Sequence, residues 1–225
     1  MLELIDVSGS NVTHDVRGAI VPLPWSDIAK ALSPETSAVI VKATEGVDFI
    51  DPAFWSNVMG ARDVGYFVLT YHYLRVRHGV AQDASKQLAQ YGALVASADL
   101  PPRLIVDCEC AENTPPAVAQ EWGDAIRFAR LRAKADTSLE PCLYTSPGEW
   151  RSMGGVVLST AVDFAASPLW VADVRGNDAP EVPPPFSDWA LWQYTWKSVI
   201  AGHTFDRSRF RGTLDDLKSW AGAAA

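Results

Sequence analysis

Short apolar runs, each closed by a polar residue or a turn, recur along the chain and alternate with stretches of helical periodicity. Residues 2–8 (LELIDVS) read as a buried strand ending at Asp6, followed by a Gly/Ser/Asn loop through Asn11. A short helix is predicted from Trp25 to Leu32. The next strand is 38–43 (AVIVKA), with Lys42 and then Glu45 at its C-terminal end before Gly46. Pro52 to about Arg62 predicts a helix, with Pro in the first turn and Gly65 just beyond the end. Residues 66–73 (YFVLTYHY) are rich in β-branched and aromatic side chains and predict a third strand. Helical spacing then runs from Val80 to about Ala98, until Pro101 and Pro102 lead into 103–109 (RLIVDCE), a fourth strand. A helix follows Pro115 and Pro116 and extends to about Lys134, with Trp122, Ile126, Ala129 and Ala133 on one face. Three more strands are predicted at 141–146, 168–174 and 189–195, and a last helix at about Leu214–Ala221.

Strands and helices in alternation predict a mainly parallel sheet buried on both faces, either doubly wound or closed into a barrel. Two features favour the barrel. Polar residues stand at the C-terminal ends of the strands (Asp6, Lys42, His72, Asp107, Glu109, Asp173 and Gln193), the face on which β/α barrels carry their sites. Neither G-x-G-x-x-G nor G-x-x-x-x-G-K-[ST] is present, so an open nucleotide-binding sheet lacks its phosphate loop. The later helices look short or missing, which predicts an irregular β/α barrel. No linker or repeat interrupts the 225 residues, and one domain is expected.

Charge narrows the choice of partner. The formal net charge is -8 and no segment concentrates Lys and Arg, which argues against nucleic acid. No window is long and apolar enough for a membrane span, and the N-terminus lacks the basic and apolar regions of a signal peptide. Cys108, Cys110 and Cys142 form no disulfide framework, and His14, His72, His78 and His203 show no ligand spacing, so neither a metal nor a cofactor is expected. Trp170 and Trp192 fall near strand ends, where flat apolar rings suit sugars, although burial is the commoner fate of Trp.

The chemistry candidate is Asp107-x-Glu109. On a strand the two acids project from one face with Cα atoms roughly 6.5 Å apart, while Cys108 and Cys110 turn to the other. Repulsion and desolvation raise the pKa of one member of such a pair, which general acid catalysis requires; a solvated strand end is the plainer alternative. No G-x-S-x-G marks a serine hydrolase, and the alternation turns Cys108 away from the site. Barrel closure would bring Asp6 to the same rim, and several acids in one mouth point towards glycoside hydrolysis. His72 reads better as a hydrogen-bonded strand-end histidine than as a base, and only one of Tyr71 and His72 can face inward.

Together these segments resemble a glycoside hydrolase family 25 lysozyme, the muramidase type of phage endolysins and bacterial or fungal cell-wall lysins. The resemblance is carried in order by IDVSGSN, VIVKATEG (39–46), YHY (71–73), the D-x-E, LYTS (143–146), LWVA (169–172), LWQYT (191–195) and TFDRSRF (204–210). It implies a flattened β/α barrel that hydrolyses the β-1,4 bond between N-acetylmuramic acid and N-acetylglucosamine in bacterial peptidoglycan. Glu109 matches the family's general acid and base, and Asp107 the partner of the substrate's 2-acetamido group in a retaining course. Asp6 and Asp206 match the remaining two acids. Substrate contacts are expected from Tyr71, Tyr73, Tyr144, Trp170, Trp192 and Gln193, with Lys42 and Glu45 pairing at the rim or touching sugar. Asp173 and Val174 stand where an aromatic is more usual, so a sugar platform is missing or replaced. A monomer without a wall-binding module, made in the host cytoplasm and released at lysis or exported by another route, is expected. Two alternatives remain: a silent glycan-binding or virion structural relative, and another barrel glycosidase. A chitinase would need acids where Pro102 and Ile105 stand.

Overall fold

The computed structural model describes residues 1–32, 36–79, 84–110, 118–158 and 162–223. In chain order the strands are β1 Leu2–Val7, β2 Thr13–His14, β3 Ile20–Val21, β4 Thr36–Glu45, β5 Phe49–Ile50, β6 Phe67–Tyr73, β7 Ile105–Asp107, β8 Cys142–Thr145, β9 Leu169–Ala172, β10 Leu191–Ile200 and β11 His203–Phe210. The α-helices are α1 Trp25–Ala31, α2 Phe54–Asp63, α3 Ala84–Ser97, α4 Ala119–Thr137, α5 Pro147–Ser152, α6 Gly155–Leu158 and α7 Leu214–Ala221, with a 3-10 turn at Val162–Ala166.

Eight strands close into a barrel in the order β1, β4, β6, β7, β8, β9, β10, β11, and β11 returns to β1. The expected barrel is present, with one departure. Neighbours from β1 round to β10 run parallel, but β11 is antiparallel to both β10 and β1. The reason is the connection. Ala201 and Gly202, both at positive φ, turn β10 straight back into β11 as a hairpin, where a parallel return would need a long crossover. Apolar alternation marked the first half of β10, but the polar, basic run from Lys197 to Arg209 hid its extension to Ile200 and the whole of β11.

Side-chain alternation divides the core into two layers. Leu4, Ile40, Leu69, Ile105, Tyr144, Trp170, Leu191 and Phe210 fill the barrel, and Leu217 and Ala221 of α7 join this inner cluster. α7 is held by a capping box between Thr213 and Asp216 and ends at Gly222 in the left-handed region. The intervening residues, including Ile5, Val39, Val41, Val68, Val106, Leu143 and Val171, pack outward with Phe54, Trp122, Ile126 and Trp150 of the helices. Cys108 belongs to this outer layer and Cys110 packs partly against it, as the alternation predicts.

The later helices are short, as expected: α5, α6 and the 3-10 turn separate β8 from β9, and residues 173–190 contain none. Predicted boundaries move by a few residues elsewhere. The helix expected from Val80 begins, among the described residues, at Ala84, and the one expected after Pro116 at Ala119; 80–83 and 111–117 lie outside the description. β7 ends at Asp107, so Glu109 stands just past the strand rather than on it.

Candidate active site

A cleft of about 400 Å³ opens where β1, β6, β7, β8, β9, β10 and β11 deliver residues to one end of the barrel. It is lined by Asp6, Tyr71, Asp107, Glu109, Tyr144, Ser146, Glu149, Trp170, Ala172, Gln193, Trp196 and Asp206. All four acids singled out in the sequence are therefore neighbours. Of the side chains expected to touch substrate, Tyr71, Tyr144, Trp170 and Gln193 line the cleft.

The acids fall into two pairs. Asp6 and Asp206 are directly opposite each other on β1 and β11, and the Gln193 amide joins them, donating to Asp6 Oδ2 and Asp206 Oδ2 at 3.2 Å each. Gln193 Oε1 in turn accepts from Tyr144 Oη at 2.8 Å and Trp196 Nε1 at 2.9 Å, which fixes the amide's orientation. Burial, and then the charge of Asp206, hold the Asp6 pKa well above the ordinary carboxylate range, and burial raises Asp206 to about 6. The two sit too close to ionise independently near neutrality.

The second pair is Asp107 and Glu109. Burial, then the neighbouring Glu109, raise the Asp107 pKa well above its ordinary value, with Lys42 opposing. Its carboxylate accepts no hydrogen bond among the described residues, and Oδ1 is shut off from solvent. Such a group is costly to keep ionised until a donor arrives. The loop that carries Glu109 is tied down by Glu149, whose Oε2 accepts from Cys110 N at 2.6 Å, and Ser146 caps the helix bearing Glu149. Burial and Glu149 push the Cys110 thiol up to about 12, which removes it as a nucleophile.

Aromatic rings make the floor. Trp170 packs edge-on against Tyr144 and Tyr71, with centroids 4.6 and 6.4 Å apart, and its indole N–H donates to Ser208 Oγ at 3.1 Å. Burial raises both phenols well above their usual value, so they remain protonated hydrogen-bond donors. His72 faces outward, as its partner Tyr71 faces in. It lies 2.8 Å from Thr44 Oγ1 and 3.1 Å from Gln87 Oε1, and burial lowers its pKa to about 4.

Four residues expected to touch substrate do not line the cleft. Trp192 is 3% exposed in the outer layer, donating its indole N–H to Asp173 O, because the strand phase that turns Gln193 inward turns Trp192 out. Lys42 pairs with Glu45 at 2.7 Å and Glu45 also with Arg75, a cluster at the rim that covers the Tyr73 ring. Tyr73 is left beneath those two cations, its hydroxyl 3.5 Å from Glu109 O. Sequence reasoning missed Ser146, Glu149, Ala172 and Trp196. Ser146-Pro147 is a helix-start signal that could have placed Glu149 in a first turn beside the D-x-E loop.

The family described as glycosyl hydrolases family 25 matches residues 5–203. The chain belongs to this family. Lysozyme M1 of Streptomyces globisporus is 28% identical over 228 residues, covering 97% of this chain and 72% of that protein. The N,O-diacetylmuramidase of Chalaropsis sp is 28% identical over 210 residues, or 88% of this chain and 94% of its own. The crystal structure of a bacterial lysozyme from Streptomyces coelicolor superposes with a TM-score of 0.77 at 25% identity, covering 98% and 97% of the two chains. A muramidase from Trichobolus zukalii shares the fold, with a TM-score of 0.75 at 23% identity over 99% of each chain. This family 25 chain is a glycoside hydrolase on a TIM-like barrel.

Proposed function

We propose that the enzyme is a muramidase of bacterial peptidoglycan, cleaving the β-1,4 bond from N-acetylmuramic acid to N-acetylglucosamine at the cell wall. The relatives named lysozyme and diacetylmuramidase support the substrate class. The observation that carries the mechanism is the Asp107 carboxylate, buried beside Glu109, its Oδ1 without a hydrogen-bond donor among the described residues.

An N-acetylhexosamine supplies the missing donor in its acetamido N–H. In the empty cleft the Asp107–Glu109 pair keeps a proton, and burial favours placing it on Asp107. A hydrogen bond from the acetamido group stabilises ionised Asp107, and the shared proton shifts to Glu109. Substrate binding thus arms the acid. Glu109 protonates the departing glycosidic oxygen while the acetamido carbonyl oxygen, aligned by Asp107, bonds to the anomeric carbon from the opposite face. That bond closes a five-membered ring on the sugar; Glu109, now ionised, takes a proton from the water that attacks the anomeric carbon and breaks the bond again, and the two inversions give net retention. The Asp6–Gln193–Asp206 group, sharing a proton near neutrality, places a hydrogen-bonding wall beside the reacting sugar.

Purified peptidoglycan digested with the wild type, its new reducing ends reduced with borohydride and identified, tests this reading. Muramic acid ends are expected. Glucosamine ends would overturn the assignment of the bond, and no ends would overturn the activity.

A further inference from the structure

Trp196 stands apart from the other residues of the cleft. Among the lining side chains it alone is exposed, at 47%, and its ring enters no aromatic pair or cation contact among the described residues. Its polar edge is nevertheless fixed, because Nε1–H donates to Gln193 Oε1 at 2.9 Å. An indole held by its edge while about half of the residue stays exposed is prepared for a flat apolar ligand.

The backbone explains how Trp196 reaches the cleft. Counting alternation from Gln193, which faces in, Trp196 should face out. The β10–β11 register shifts first between Gln193 and Thr195, where Tyr194 is an extra residue, and again between Thr195 and Ser198, where residues 196 and 197 oppose Asp206. The first bulge leaves Tyr194 outward, its hydroxyl on Glu3 at 2.5 Å, and changes the phase of all that follows. Trp196 therefore comes to the same side as Asp206. Bulges beside sites commonly re-aim a side chain in this way.

We propose that Trp196 is a stacking platform for an N-acetylhexosamine ring of the glycan, a subsite built by this bulge. The proposal rests on the glycan reading above and adds the residue that holds a sugar at the mouth. It also answers a question posed by the sequence. Asp173, standing where an aromatic is more usual, is bound to Arg175 and to the Glu181 N–H and offers no ring. The sugar-facing aromatic is instead supplied from β10. Because the indole edge is bonded to the amide that joins Asp6 and Asp206, a ring settling on Trp196 also steadies that amide.

The test is isothermal titration with the β-1,4-linked tetramer of N-acetylglucosamine in a Glu109→Gln background, which removes turnover. Adding Trp196→Ala is expected to weaken binding about tenfold, equivalent to roughly 1.4 kcal/mol. Adding Trp196→Phe, which keeps a ring but loses the N–H, should stay within about threefold of the parent if stacking dominates. Binding by the Ala variant equal to that of the parent overturns the platform. Equal losses in Ala and Phe also overturn it, since the indole then acts only through Gln193, as does absence of tetramer binding by the parent. Failure of the muramidase reading is separately visible: peptidoglycan would remain uncut by the wild type while the Trp196 variants still differed in tetramer affinity.

Discussion

Replacing Asp206 by Asn should make the protein more stable at neutral pH and leave it unchanged in acid. Asp206 and Asp6 are directly opposed across β1 and β11, where like charges repel, and the neutral Gln193 amide bridges them. Moving a carboxyl from 3.8 to about 6 corresponds to roughly 3 kcal/mol at full value. Asp206 is partly exposed, and solvent screening reduces this to about 1.5 kcal/mol. A carboxyl whose pKa is raised on folding binds more protons in the native state. Its penalty is therefore absent below about pH 4 and grows as pH rises through about 6. Asn can still accept the Gln193 N–H, so the substitution removes charge with little change of shape. Thermal unfolding of both proteins between pH 4 and pH 8 should show the variant higher by about 3–6 °C at pH 7 and coincident near pH 4. Taking the difference removes His72, whose lowered pKa gives an opposite slope in both proteins. A gain independent of pH, or a loss at pH 7, would refute the reasoning.

Other expectations follow from the same geometry. His72 should remain neutral with its proton on Nε2 down to about pH 4, as Thr44 and Gln87 require; nitrogen-15 NMR showing titration near 6.5 would contradict this. Asp107→Asn should reduce peptidoglycan turnover by about 100-fold or more while circular dichroism stays native, since the amide cannot become the anionic acceptor for the acetamido group; turnover near the wild-type rate would remove Asp107 from the mechanism. A Cβ at Gly60 would stand 2.1 Å from Trp25 Cδ1, so Gly60→Ala should cost about 1–3 kcal/mol in denaturant unfolding, and a neutral result would show that Trp25 moves freely.

Much of this fold was legible because short apolar runs and strong turn signals agree. Strands β1, β4, β6, β8 and β9 bury apolar side chains on both faces and read as near-continuous apolar runs. The Asp107–Glu109 motif and the ordered segments around it led to the family, and Asp6 and Asp206 join the same cleft. What escaped lies where local pattern and tertiary register part company. β11, carrying His203, Asp206, Arg207 and Arg209, is too polar to read as a barrel strand; Arg209 and Arg207 instead stack on Tyr194, with centroid distances of 4.2 and 6.0 Å, and pair with Glu3. That arrangement seals a stretch of barrel wall with charged and aromatic groups. Trp196, to which the sequence assigned no role, reaches the cleft for a related reason. The bulge at Tyr194 depends on pairing with β11, and pairing across the barrel leaves no trace in local periodicity.

The account turns on Glu109 as the group that gives and then takes the proton. Wild type and Glu109→Gln should be compared on the same purified peptidoglycan, with the release of reducing ends followed in time and native folding verified for both. Loss of about 1,000-fold or more in the rate for a folded Glu109→Gln protein is the predicted result. Release of ends by that protein at the wild-type rate would contradict the account.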